Sequence, residues 1–137
     1  MNDIYVLDAC ALVALIKGED GADVVWDILS RAMSGGAAVL MHELNLLEVY
    51  YGFYRERGKD YAEQKVEQAA EFFTTLQGLT PAVFAEAGRL KATYKISIAD
   101  AVALAQASVS GGAVLTADHH EMDVVEQKEN IAFKWIR

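Results

Sequence analysis

Ile4-Tyr5-Val6-Leu7-Asp8 is a short apolar run that closes on an acid and feeds directly into a helical stretch through Ala11 to Ile16. Near the other end of the chain, Ala113-Val114-Leu115-Thr116-Ala117-Asp118 repeats the form: an apolar strand, an acid, then a helix start. Continuous apolar runs of this length, bounded by turn signals, read as strands buried on both faces. Working outward, the turn Gly18 to Gly21 leads to a helix from Asp23 to Met33 with Val24, Val25, Ile28 and Leu29 on one face, stopped at Gly35-Gly36. Ala37 to Met41 reads as the second strand. Helices are predicted over 43–57 and 60–76, the latter with Val66, Ala69, Ala70, Phe73 and Leu76 at helical spacing. A short strand is placed within 76–80. Thr80-Pro81 opens another helix, since proline has no N–H to lose in a first turn. Ser97 opens the next, which Gly111-Gly112 ends. A short helix after Asp118 and a strand from Ile131 to Ile136 finish the pattern. Strands alternating with helices predict an α/β fold, a three-layer sandwich with a central, mostly parallel sheet.

The 137 residues are enough for one domain, taken as 1–137, and at 53% hydrophobic they can build a packed core. No uninterrupted apolar run approaches the roughly 20 residues of a membrane helix. The N-terminus lacks a secretory pattern, and the single cysteine, Cys10, has no partner for an internal disulfide. A cytoplasmic protein with no membrane association is expected. The formal net charge of -8 opposes binding nucleic acid by bulk electrostatics. That objection weakens if some of the acids hold a divalent cation, which reverses the local sign where a phosphate must approach.

Four acids stand in apolar surroundings: Asp8 and Asp118 at strand ends, Asp100 as the only charge between Ile96 and Val109, and Glu48 in the run Leu44 to Phe53. A charge placed there is costly unless paired. Each has a structural alternative. Asp8 can cap the helix that follows it. Ser97-Ile98-Ala99-Asp100 and Asp118-x-x-Glu121 both fit a capping box. Glu48 can pair with Arg55. The common alternative is one shared site, because carboxylates brought within about 4 to 6 Å of each other cannot all ionise without a cation. Oxygen-only ligands suit Mg2+ or Mn2+, ions used for phosphodiester chemistry.

The blocks Tyr5-Val6-Leu7-Asp8-Ala9-Cys10-Ala11-Leu12, Asn45-Leu46-Leu47-Glu48-Val49-Tyr50-Tyr51-Gly52, Ser97-Ile98-Ala99-Asp100-Ala101 and Leu115-Thr116-Ala117-Asp118 follow one another in this order across nearly the whole chain. The ordered set resembles a PIN domain and, within that superfamily, a VapC-type toxin ribonuclease. The resemblance implies strand order 3-2-1-4-5 and metal-dependent endoribonuclease activity. It also implies that Asp8, Glu48, Asp100 and Asp118 hold Mg2+ or Mn2+, with Asp118 the more variable ligand. A cognate antitoxin and a homodimer are further implications. One departure is plain: many relatives carry a hydroxyl just after the first aspartate, where this chain has Ala9 and Cys10. Thr116 and Ser97 are the hydroxyls left near the proposed cluster.

His119-His120 lacks a third ligand at zinc spacing, so substrate contact or a solvated helix start are the readings for His119. Asp123 is a surface acid or an aid to a second metal. Arg55, Arg57, Arg89, Lys91 and Lys95 are candidate phosphate contacts, and Tyr50, Tyr51, Phe53 and Tyr54 are base-stacking, core or interface aromatics. A phosphoacceptor receiver domain wants paired acids after the first strand, and a haloacid-dehalogenase-like phosphatase an aspartate where Cys10 stands. A cysteine phosphatase wants arginine where Ile16 stands. A catalytically silent binding module of the same fold is the alternative from a different class.

Overall fold

The computed structural model describes residues 3–137. Five strands and seven helices succeed one another: β1 (Asp3–Leu7), α1 (Ala9–Lys17), α2 (Ala22–Met33), β2 (Ala37–His42), α3 (Glu43–Arg57), α4 (Lys59–Ala70), β3 (Thr74–Leu76), α5 (Pro81–Thr93), α6 (Ile98–Ser110), β4 (Ala113–Thr116), α7 (His119–Lys128) and β5 (Ala132–Trp135). The strands form one sheet, ordered β3-β2-β1-β4-β5, and every pairing is parallel. The expected sandwich and strand order are both present. Among the described residues no helix is long and apolar enough to cross a membrane.

Side-chain alternation along the strands divides the core in two. Val6 and Val114 face α5, α6 and α7, where Leu90, Val102, Leu104 and Met122 are buried. Leu7, Val39, Met41 and Leu115 face α1 to α4, packing on Leu12, Leu29, Val49 and Phe53. At the end of α6, Gly111 adopts the left-handed conformation (φ 68°) and the Gly112 N–H returns to the Ala107 carbonyl at 2.9 Å. A Cβ on Gly112 would lie 2.7 Å from the Ile4 carbonyl oxygen, so the close approach of the chain to β1 requires glycine there.

One predicted element is corrected. The helix expected over 60–76 stops at Ala70, and the short strand expected within 76–80 lies at Thr74–Leu76. The helical spacing of Phe73 and Leu76 is real, but Thr74, Thr75 and Leu76 align with Leu40, Met41 and His42 on the open edge of β2. Pairing with that edge gives this segment its hydrogen bonds, and two β-branched residues suit a strand better than a helix.

β2 passes into α3 with no intervening loop, and His42 makes the junction. Its Nδ1 accepts the Leu44 N–H at 3.0 Å, capping α3, and its Nε2 lies 2.6 Å from the Gly78 carbonyl, which fixes the proton on Nε2. The ring is buried. His42→Ala is expected to destabilise the protein by about 2–3 kcal/mol, through the lost cap and the two backbone groups left without a partner. Urea unfolding would measure this, and His42→Asn, which retains a capping oxygen, should recover part of the loss.

Candidate active site

From β1 the chain moves outward to β2 and β3, then crosses to β4 on the other side of β1. Ligands of open parallel sheets bind beyond the carboxyl ends of the strands at such a reversal. All four acids singled out in the sequence are found at this end.

Asp8 follows β1 and is almost fully buried, at 1% exposure. Its Oδ1 accepts the Ala11 N–H at 2.9 Å, so the capping role is real, but it occupies only one of two carboxylate oxygens. Burial pushes the Asp8 carboxyl up to about 7; the Thr116 hydroxyl and the Ala11 N–H oppose that rise, and the negative charges of Asp118 and Glu48 add to it. Glu48, in the second turn of α3, is also raised, first by burial and then by Glu121 and Asp118. Its expected partner is engaged elsewhere: the Arg55 guanidinium lies 5.1 Å from the centre of the Tyr51 ring. Among the described residues no ion pair involves Asp8, Glu48, Asp100 or Asp118.

The two capping boxes are only half made, and the halves that fail build the site. Ser97 Oγ accepts the Asp100 N–H at 3.0 Å as predicted. The return bond is absent, because the Ser97 N–H points to Glu121 Oε2 at 3.4 Å. Asp118 likewise accepts the Glu121 N–H at 3.3 Å, while the Asp118 N–H is taken by Thr116 Oγ1 at 3.0 Å. Glu121 is thereby released from its own helix start and reaches across to α6. Carboxylate oxygens of Asp100, Asp118 and Glu121 lie within 4.8 Å of one another. Asp100 and Glu121 share a hydrogen bond between carboxyl groups. Burial and that bond raise Asp100, whereas Glu121 is lowered by the proton that Asp100 donates. The pair therefore retains one proton at neutral pH.

Glu121 is the residue that sequence reasoning assigned only to a cap. Asp8 and Glu48 stand outside the three-oxygen group but within its field, since each feels the charge of Asp118. The donor chemistry fits a hard cation: five carboxyl groups, two of them largely buried, repel one another, and among the described residues none of them is in an ion pair. Asn45 points the same way. It lies one helical turn before Glu48, fully buried, with both amide atoms lacking a hydrogen-bond partner. A buried amide without partners is costly, and one beside an acidic pocket has water or a ligand as its natural complement.

Other expectations resolve individually. Cys10 is pushed up to about 11 by burial and by Asp8, so its thiol stays protonated. Arg89 is bound to Glu86 and Glu129 and is not free for phosphate. Arg57 lies over the Tyr61 ring at 5.0 Å. Lys91 and His120 are the basic side chains that act electrostatically on Glu121. His119 uses both ring nitrogens within the protein, on Asp123 at 2.7 Å and on the Arg137 main-chain oxygen at 2.9 Å, which raises its pKa and leaves no nitrogen for zinc. Phe53 is buried core, while Tyr51 and Tyr54 are exposed.

No curated protein matches the chain. Solved structures do. A VapBC complex of Rickettsia felis bound to a DNA fragment from its promoter superposes with TM-score 0.75 at 15% identity, over 96% of this chain and 97% of the other. A DNA-bound VapBC of Salmonella typhimurium gives 0.74 at 13% identity over the whole of both chains. A sarcin–ricin-loop-cleaving VapC toxin of Mycobacterium tuberculosis gives 0.59 at 15% identity, over 84% and 90%. At such identities the likeness concerns the fold. The profile of the PIN domain matches residues 5–127, from the first strand through the last helix. A match of that extent, on a chain with this strand order and these acids at the strand ends, makes the protein a member of the PIN domain family.

Proposed function

We propose that the protein is a metal-dependent endoribonuclease and the toxin of a toxin–antitoxin pair. The observation that carries this reading is the group of buried and half-buried carboxylates at the β1/β4 switch point, with three oxygens inside 4.8 Å and, among the described residues, no ion-pair partner. Asp8, Glu48, Asp100 and Asp118, joined by Glu121, would hold Mg2+ or Mn2+. Such an ion, when bound, activates water and stabilises charge on phosphoryl and leaving oxygens.

The protein's own groups do the positioning. Asp8 is held by the Ala11 N–H and Asp118 by the start of α7, which gives rigid ligands on rigid elements. Lys91 and His120, which act electrostatically on Glu121, are the basic side chains that would meet a phosphate there. Water adds at phosphorus and the bond to the 3′-oxygen breaks, leaving a 3′-hydroxyl and a 5′-phosphate. The VapBC structures that share this fold are complexes of toxin with antitoxin, which supports a protein partner here, with a homodimer as the working assembly.

The test is cleavage of total RNA by purified protein with Mg2+ or Mn2+, followed by mapping of the new ends. Discrete cuts that EDTA abolishes are expected. No cleavage with any divalent ion, together with no thermal stabilisation by Mn2+, would leave the fold as a silent binding module. Co-expression with the product of a neighbouring reading frame should suppress the cutting.

A further inference from the structure

We propose that His119, stacked on Trp135, is a platform for one nucleobase of the RNA strand at the acidic cluster; this rests on the ribonuclease reading above. The imidazole and indole rings are nearly parallel, at 11° with centroids 3.8 Å apart. Phe133 stacks on the same indole at 5.4 Å and 11°, and Trp135 Nε1 donates to Glu126 at 2.9 Å, so the indole is held in place. Both nitrogens of His119 are engaged by Asp123 and by the Arg137 main-chain oxygen, which pins the edge of the ring. The side chain is nevertheless 50% exposed. With one face on Trp135 and the edge tied down, the accessible part is the other face.

Such a ring offers no ligand atom, acid or base to a substrate. It offers a flat, pre-ordered surface, the feature that binds unstacked bases with little regard to sequence. Its position gives that surface a purpose. His119 directly follows Asp118, a member of the three-oxygen cluster, so the ring belongs to the same helix start as the cluster at which a strand's phosphate would sit. An acidic protein needs such a contact more than a basic one does, because the net charge of -8 weakens any affinity drawn from phosphates alone.

The test is binding of a short single-stranded RNA to the full chain with Ca2+, and to a series of the same RNA lacking one base at a time. His119→Ala is expected to weaken binding by about 5- to 100-fold, with KM rising and kcat changing little. His119→Tyr, which retains a flat ring, should stay within about threefold of wild type. In wild type, one base-less position should lose affinity, and His119→Ala should be indifferent to that position. Unchanged RNA affinity in a folded, cutting His119→Ala variant would overturn the platform and leave the nuclease reading intact. Wild-type protein that neither binds nor cuts RNA would overturn both.

Discussion

Asp8→Asn is expected to abolish RNA cleavage and, in the absence of metal, to make the protein more stable. The two effects have one cause. In the folded protein the Asp8 carboxyl is raised to about 7 from a model-peptide value of 3.8, chiefly by burial. A carboxyl whose folded pKa is raised binds its proton more tightly in the native state, so it favours folding below about pH 4 and disfavours it increasingly as pH rises through 7. Above that pH the ionised group opposes folding by at most roughly 4 kcal/mol, the free-energy equivalent of a three-unit shift. Asparagine removes the charge and retains an oxygen that can accept the Ala11 N–H, since asparagine caps helices as well as aspartate does. At pH 8 the metal-free variant should melt several degrees above wild type. Activity should fall more than 100-fold, beyond the 10- to 100-fold typical of losing a group that merely orients a ligand. Thermal melts with and without Mn2+, alongside an RNA cleavage assay, measure both. A purely capping Asp8 predicts neither change, and retained activity at saturating Mg2+ would remove Asp8 from the metal site.

The same residues show how far the sequence can be read and where it stops. The helix predicted over about 43–57 is observed at Glu43–Arg57, where the His42 side chain caps its start and Gly58 follows its end. The overrun of α4 came from a periodicity that is locally genuine; only the position of the β2 edge, 34 residues upstream at Leu40 to Thr74, decides between helix and strand. Asp8, Glu48, Asp100 and Asp118 stood out because charge is rare in apolar runs. Glu121 did not, because Asp118-x-x-Glu121 is also a sound local capping motif. What diverts it is the Ser97 N–H on another helix, a contact between positions 24 apart that no local pattern contains. The unused half of that box was the available signal: Thr116, two residues before Asp118, can satisfy the Asp118 N–H and so free the glutamate. The stack of His119 on Trp135 was similarly hidden, since it joins the start of α7 to the end of β5.

Mn2+ affinity should rise steeply with pH. Hard cations bind ionised carboxylates, so any proton on the site must leave when the metal enters. At pH 6 Asp8, raised to about 7, is mostly protonated, and the Asp100–Glu121 pair holds a second proton in its shared hydrogen bond. Binding at that pH therefore releases up to two protons, and affinity should increase by as much as about 100-fold per pH unit. Above pH 7 Asp8 is already ionised and the slope should fall to about tenfold per unit, carried by the carboxyl pair alone. The sign is opposite to the stability of the metal-free protein, which declines over the same range as Asp8 ionises. Metal should consequently stabilise the fold little at pH 5.5 and strongly at pH 8, where occupancy contributes RT ln(1 + [L]/Kd). Calorimetric titrations in buffers of different ionisation enthalpy count the protons directly. Glu121→Gln separates the causes: it removes the carboxylate charge beside Asp100 but leaves the burial that raises Asp100 most, so the proton count should fall by less than one, and Mn2+ binding should weaken if Glu121 is itself a ligand. A proton count near zero at pH 6.5 would mean that the acids are already ionised without metal, and the crowded, cation-deficient pocket on which the nuclease reading depends would not exist.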